Sequence, residues 1–387
     1  MLRKSICGLV LLYGLATVFL PVFVLNKLVF IPLFVLSVCA VISRPVKIFA
    51  PILVFLIFLY GFLLGWVNGA DPELARQTLL ASTSLFLIYV IYAFKVDMGF
   101  TVKAVGALFA LVMCIFSLAL MLAQDSEFSK ILLDFYIDNE LGFYGVRDFG
   151  GLKMFMLHHR SSPFLLVPLS IFFLDFLKAR KALSLCFVVV ILAAIVCSAS
   201  RALMVMAVFA LFVLFFYQRK LPMRLLLLAI VIPALAFTLN YLIFRTSMFN
   251  SNELSNSIKI GHFLSFIDVA DWKMLLFGNG LGSYFYTQGY GRYVSQTEIT
   301  WLDSVRYVGI PLSLVLFTVF LFPRSRYVPE KTMASSRLIM FMYLLMSLSN
   351  PVLFNSFGFF VILWYWSAVM KDQKKLSVYT EVRRRVE

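Results

Sequence analysis

The chain has 387 residues, 62% of them hydrophobic and only 14% charged, with 34 Lys and Arg against 19 Asp and Glu for a net charge of +15. Soluble domains run at about 45–50% apolar and about 25% charged, so a soluble globular domain, a disordered chain and an ordinary DNA-binding protein are all excluded. The basic excess therefore needs a cause other than nucleic acid.

A transmembrane helix needs roughly 20 mostly apolar residues. Twelve apolar runs meet or approach that length, near 5–24, 28–42, 48–68, 77–95, 102–123, 161–177, 182–198, 201–217, 223–243, 301–322, 337–349 and 352–370. No ten-residue alternation recurs, which argues against an outer-membrane barrel. The composition and these runs predict an all-α integral membrane protein. It would be a single polytopic domain over residues 1–387 with about twelve transmembrane helices. Met1-Leu2-Arg3-Lys4 ahead of the first run reads as an uncleaved signal anchor.

With the N-terminus inside, the short cytoplasmic connections and the tail 371–387 hold 22 of the 34 basic residues and 6 of the 19 acidic ones, a net of +16. The opposite face holds 12 basic and 13 acidic residues, a net of −1, although it carries both long loops. The charge is thus a topology signal, placing both termini in the cytoplasm and the loops 124–160 and 244–300 outside. The five cysteines (Cys7, Cys39, Cys114, Cys186 and Cys197) fall inside predicted spans without paired spacing, so neither a disulfide framework nor a zinc site is expected.

In the first loop, Glu127–Ile137 spaces Phe128, Ile131, Leu132 and Phe135 at helical intervals and predicts a short interfacial helix. Arg147, Lys153, His158, His159 and Arg160 then gather ahead of the next span. These charges either pair among themselves in a hydrated loop or serve a ligand. Arg160 stands at the membrane boundary, where a guanidinium snorkels or grips a phosphate. Adjacent His158 and His159 are a poor metal pair on a helix, but either imidazole can move a proton.

Cys197-Ser198-Ala199-Ser200-Arg201 forms a connection of a few residues between two apolar runs, with Arg201 at the head of the second. An arginine beside hydrocarbon snorkels, pairs or lines a wet cavity. Here Ser198, Ser200 and the free amides of a helix N-terminus would complete an anion site. The second loop carries an amphipathic stretch from Ser257 to Trp272, then Gly278-Asn-Gly280-Leu-Gly282. Without a βαβ context this is no dinucleotide fingerprint, and a tight turn with close backbone approach is expected. Tyr284, Tyr286, Tyr290 and Tyr293 surround Arg292 and precede Glu298, Trp301, Asp303 and Arg306. Such aromatics suit sugar faces, and they equally suit a membrane-interface belt.

Four elements in this order resemble the O-antigen polymerase/ligase (Wzy-type) superfamily. They are Arg160-Ser-Ser-Pro163, Ser198-x-Ser200-Arg201, Leu275-Leu-Phe-Gly278-x-Gly280-x-Gly282-Ser, and Glu298-x-x-Trp-Leu-Asp303-x-x-Arg306-Tyr-Val-Gly309. The resemblance covers roughly residues 145–320. It implies a GT-C-like membrane glycosyltransferase of the bacterial inner membrane acting on undecaprenyl-diphosphate-linked oligosaccharide. Polymerases of the family extend the chain on the lipid carrier, and a chain-length regulator is a possible additional partner. Ligases of the family transfer glycan to lipid A–core and usually carry a His-Asn element where this chain has Glu298, which favours polymerase. A lipid-linked oligosaccharide flippase is the alternative from another class, although no internal repeat is visible.

On this reading Arg160, Arg201 and Arg306 bind the diphosphate, because planar guanidinium forks suit phosphate oxygens. Glu298, then His159, are candidate bases for the acceptor hydroxyl. Arg147, Tyr284, Tyr286, Arg292, Trp301 and Asp303 are assigned to glycan contacts. No metal or other cofactor is called for.

Overall fold

The computed structural model describes residues 2–21, 25–43, 48–123, 126–148, 153–225, 233, 240, 253–323 and 331–370. Most of the ninth predicted span (223–243), the start of the second loop and the tail 371–387 lie outside the described residues. The other eleven predicted spans each coincide with an apolar helical segment. Seven of these segments are long and apolar enough to cross a membrane: Leu2–Phe19, Leu25–Ile42, Ala50–Val67, Pro72–Ala93, Met98–Leu122, Ser162–Ala179 and Thr300–Leu321. Ala182–Cys197, Arg201–Tyr217, Ala334–Met346 and Ser356–Met370 are apolar but shorter. The described structure is therefore helical and suited to a bilayer, with two small hairpins that the sequence reading did not foresee.

The chain forms two compact units. The first comprises Met1–Val105, Ala270–Tyr284 and Ser295–Glu387. Its helices are α1 (Leu2–Phe19), α2 (Leu25–Ser43), α3 (Ala50–Val67), α4 (Pro72–Ser82), α5 (Ile88–Ala93) and the start of α6 (Met98–Leu122). Asp71 starts α4 by accepting the amides of Glu73 and Leu74 at 3.0 and 3.2 Å, with Pro72 at the first helical position. The helix Ser356–Met370 is apolar all round and forms the centre of this unit, with Phe359 through Trp366 almost inaccessible. Its polar edges are satisfied against the helix Thr300–Leu321: Trp366 Nε1 donates to the Phe320 carbonyl at 3.2 Å, and the Tyr365 hydroxyl to that of Leu321 at 2.6 Å.

The helix Thr300–Leu321 breaks at Gly309, whose φ is +78°, two residues before Pro311. Proline has no N–H to offer the Tyr307 carbonyl, and the glycine turn misaligns the partner of Arg306. Both orphaned carbonyls are claimed by the glycine loop: Asn279 N–H donates to Arg306 at 2.7 Å and Gly280 N–H to Tyr307 at 3.0 Å. The same loop docks on α3, where Leu281 N–H reaches the Gly61 carbonyl at 2.8 Å. A Cβ on Gly280 would stand 2.0 Å from Gly65 N, so only glycine permits this approach. The glycine loop is thus the close-approach turn that its sequence predicts.

The second unit comprises Gly106–Val269 and Phe285–Val294. After the rest of α6 come α7 (Glu127–Asp138), the antiparallel strands β1 (Gly142–Asp148) and β2 (Lys153–His159), α8 (Leu166–Ala179), α9 (Ala182–Cys197) and α10 (Arg201–Tyr217). The helix Leu254–Val269 packs beside the hairpin of Phe285–Thr287 and Arg292–Val294. The predicted amphipathic stretch thus begins earlier than Ser257 and ends before Trp272, since Asp271 caps a separate short helix, Trp272–Phe277, through the Met274 amide at 2.7 Å. The predicted interfacial helix is α7, capped by Ser126, and it leaves Phe128, Ile131 and Phe135 exposed at 70%, 69% and 46%.

Candidate functional site

In the second unit, three separated pieces of chain bring charged groups together. Arg147 projects from β1, Arg201 opens α10, and Glu253 immediately precedes the helix Leu254–Val269. Arg147 Nη2 contacts Glu253 Oε1 at 3.2 Å, and Arg201 Nη2 forms a shorter ion pair with Glu253 Oε2. Arg201 also donates to Asn256 Oδ1 at 3.3 Å, and Arg147 Nη1 to the Ala199 carbonyl at 3.3 Å. The three charged side chains are 23%, 12% and 18% exposed, so the cluster is shielded yet open to solvent.

Local chemistry explains how the Ser-Arg turn presents itself. Ala199 takes a left-handed backbone at φ +44°, unusual for a residue with a Cβ, and this sharp reversal lets α10 start at Arg201. The turn aims the Ala199 carbonyl at Arg147. The expected anion-binding help from Ser198 is redirected, because its hydroxyl donates to the Ile195 carbonyl at 2.6 Å and receives the Ser200 amide at 3.4 Å. Ser200 makes no side-chain cap to α10. Two guanidinium groups, one of them at the start of α10, therefore share one carboxylate.

Glu253 is held as a carboxylate. Burial pushes its pKa up, but the hydrogen bond and charge of Arg201, then Arg147 and the Asn256 amide, bring it below its ordinary value. His158 joins the same neighbourhood through a hydrogen bond to the Ser198 backbone and the field of Arg147, with its ring stacked on Phe143 at 4.8 Å. Burial, reinforced by Arg147, lowers its pKa to about 4 against the opposing Ser198 bond, so the imidazole is neutral at pH 7.

The neighbouring candidates stand differently. His159 is buried at 3% exposure between Phe109 and Tyr136, with ring centroids at 5.0 and 5.8 Å. Its Nδ1 accepts the Ser161 amide at 3.0 Å, which places the ring proton on Nε2. Arg160 is half exposed and pairs with Glu140 at 2.9 Å. Arg292 lies over Tyr290 at 5.8 Å on the exposed hairpin, where Tyr286 faces Tyr293 across the strands at 5.7 Å. Glu253 was not among the residues singled out from the sequence, and His158 was noted there only as an imidazole able to move a proton. Glu253 sits in a polar Ser-Asn-Glu stretch with no motif, and only its position before a helix hinted at use.

The first unit holds the remaining candidates. Arg306 and Asp303 form a buried pair at 2.9 Å, with side chains 1% and 2% exposed. Arg306 also donates to the Ser283 and Ser295 carbonyls, the latter at 2.7 Å, while Asp303 accepts the Thr297 amide at 2.8 Å. This pair ties the glycine loop and the Glu298 segment to the helix Thr300–Leu321. Trp301 is likewise anchored, its Nε1 donating to Ser347 at 2.7 Å and its ring stacked on Phe317 at 3.8 Å. Glu298 is part-buried just ahead of that helix, and Tyr284 is 53% exposed. The structure thus joins Arg147 with Arg201, pairs Arg160 elsewhere, and commits Arg306 to internal hydrogen bonds. No known protein family, curated protein or solved structure matches the chain.

Proposed function

We propose that this protein is a polysaccharide repeat-unit polymerase of the bacterial inner membrane. It would transfer glycan between undecaprenyl-diphosphate-linked oligosaccharides at the outer face. The observation that carries the reading is the convergence of Arg147 and Arg201 at the head of an apolar helix. It is joined by the ordered motifs from Arg160 to Arg306 in the sequence.

In such a transfer the anomeric carbon–oxygen bond to the donor diphosphate breaks as the acceptor hydroxyl oxygen attacks that carbon. The electron pair leaves with the diphosphate, and the hydroxyl proton goes to a base. Two guanidinium groups and a helix N-terminus are suited to stabilise the departing charge. Arg201 and Arg147 take that role here. Glu298, a carboxylate, and His159, an imidazole, are the candidate bases for that proton. The exposed Tyr286 and Arg292 hairpin offers rings and donors to a glycan.

The reading is tested in a deletion strain complemented with wild-type or Arg201→Ala protein at matched expression. Wild type is expected to restore a ladder of long chains, and Arg201→Ala to leave single repeat units on the acceptor. A normal ladder from Arg201→Ala overturns the arginine assignment. Polymer retained on the lipid carrier in the deletion strain would indicate a ligase, and reconstituted protein that translocates lipid-linked sugar without lengthening it would indicate a flippase.

A further inference from the structure

We propose that Glu253 is a displaceable internal counter-ion: its carboxylate occupies the seat between Arg147 and Arg201 that a phosphate group of the ligand takes over. This inference rests on the reading of the arginine pair as a phosphate site and extends it to how that site is kept and emptied.

The first argument is geometric. The two arginines do not share one oxygen; Arg147 contacts Oε1 and Arg201 contacts Oε2. Two oxygens on one carbon offer guanidinium groups nearly the same bite as two oxygens on one phosphorus. A carboxylate that takes one Nη2 from each arginine is therefore close to the arrangement a phosphate needs. The second argument is charge. A diphosphate carries more negative charge than the carboxylate and binds both forks more strongly.

The third argument concerns where Glu253 would go. It is the residue immediately before the helix Leu254–Val269, and Oε2 already accepts the Asn256 amide at 3.1 Å. When a phosphate takes the arginines, the carboxylate turns toward water at the start of its own helix, where negative charge is favoured. Displacement does not strand a buried anion. The cluster is also part-exposed, which gives the leaving side chain a path to water. In the resting state Glu253 offsets the repulsion between the two guanidinium groups, while weak monoanions compete poorly with it. The site is thereby preorganised and selective for a polyvalent phosphate.

The experiment measures binding of inorganic pyrophosphate, and separately of undecaprenyl diphosphate, to the purified full-length protein in detergent by calorimetry. Glu253→Gln is expected to bind pyrophosphate about tenfold more tightly than wild type, and Arg147→Ala and Arg201→Ala at least tenfold more weakly. Glu253→Asp, which keeps the charge but is too short to bridge both arginines, is expected to fall between Gln and wild type. It decides the matter if the Gln variant does not fold.

Glu253 variants that bind no better than wild type, alongside weakened arginine variants, would overturn the counter-ion role and leave the phosphate site standing. Arginine variants that bind as wild type would overturn the phosphate site itself. A gain seen with the lipid diphosphate as well supports the lipid carrier as the source. A gain confined to pyrophosphate supports displacement and removes the lipid carrier.

Discussion

Arg306 Nη2 lies 2.9 Å from Asp303 Oδ1, one turn back on the same helix, and both side chains are all but sealed from solvent. The pair gathers the Ser283 and Ser295 carbonyls and the Thr297 amide around it. Removing one partner leaves an uncompensated buried charge, which costs about 3–5 kcal/mol. Arg306→Met is therefore expected to lower the thermal stability of the detergent-solubilised protein sharply, and Asp303→Asn to lower it as well, because it strands a guanidinium that cannot lose its proton. An Arg306→Met protein of wild-type stability that has lost only ligand binding would instead return Arg306 to the diphosphate site.

Arg147 and Arg201 should not tolerate lysine. Lysine restores the charge but not the planar guanidinium: Arg147 reaches Glu253 with Nη2 and the Ala199 carbonyl with Nη1, while Arg201 reaches both Glu253 and Asn256 from Nη2 at the end of its longer side chain. Losing a preorganised donor at a developing oxyanion costs about 10²–10³ in rate. Arg201→Lys is expected to slow polymerisation by about 10²-fold in a reconstituted assay, against a smaller effect from Arg160→Lys, whose guanidinium sits in an exposed pair. Equal effects at positions 160 and 201 would contradict this ranking.

Gly280→Ala is expected to destabilise the first unit. Its φ is +94°, and a Cβ would meet Gly65 N at 2.0 Å and Leu64 C at 2.6 Å, all backbone atoms. Backbone strain of this kind costs about 1–3 kcal/mol, before the loop is pushed from the Tyr307 carbonyl. Gly69→Ala is the comparison within the same unit: its φ is +69° but no heavy atom lies within 4 Å of the added Cβ, so only conformational strain remains. The difference in unfolding temperature between the two variants measures the close approach itself.

Acidification should weaken the second unit in two stages. The His158 imidazole titrates near 4 when folded and near 6.5 as a free group, so below about 6.5 the unfolded chain takes up the proton first and stability falls. The loss approaches an upper bound of about 3 kcal/mol near pH 4. Glu253, held below its ordinary value by the arginines, contributes stability that is present above about pH 4.5 and is lost as pH falls through its lowered folded value. Unfolding temperatures recorded from pH 7.5 to 4 should therefore decline, and His158→Gln should flatten the portion between 6.5 and 4. An unchanged slope in that variant would remove His158 as the cause.

Eleven of the twelve apolar runs could be read directly from the sequence and recur as helical segments, because a helix satisfies its backbone within each stretch and announces itself in local composition. The helix α7 and the tight glycine loop were legible for the same reason: period and glycine spacing are local signals. The two hairpins were not, since runs such as Gly142–Asp148 and Lys153–His159 carry no clean alternation of apolar and polar residues.

The membrane character, the helix positions and the uneven distribution of the +15 charge thus follow from the sequence by itself. Only the tertiary structure decided which charges meet. Glu253 reaches Arg147 across 106 residues and Arg201 across 52, and no spacing rule links such positions. Tertiary packing also separated residues that look equivalent in the sequence: it put His158 beside Arg147 and buried His159 among rings, and it spent Arg306 on Asp303. A helix is closed by hydrogen bonds four residues apart. An ion pair is closed by whatever the packed chain carries into reach.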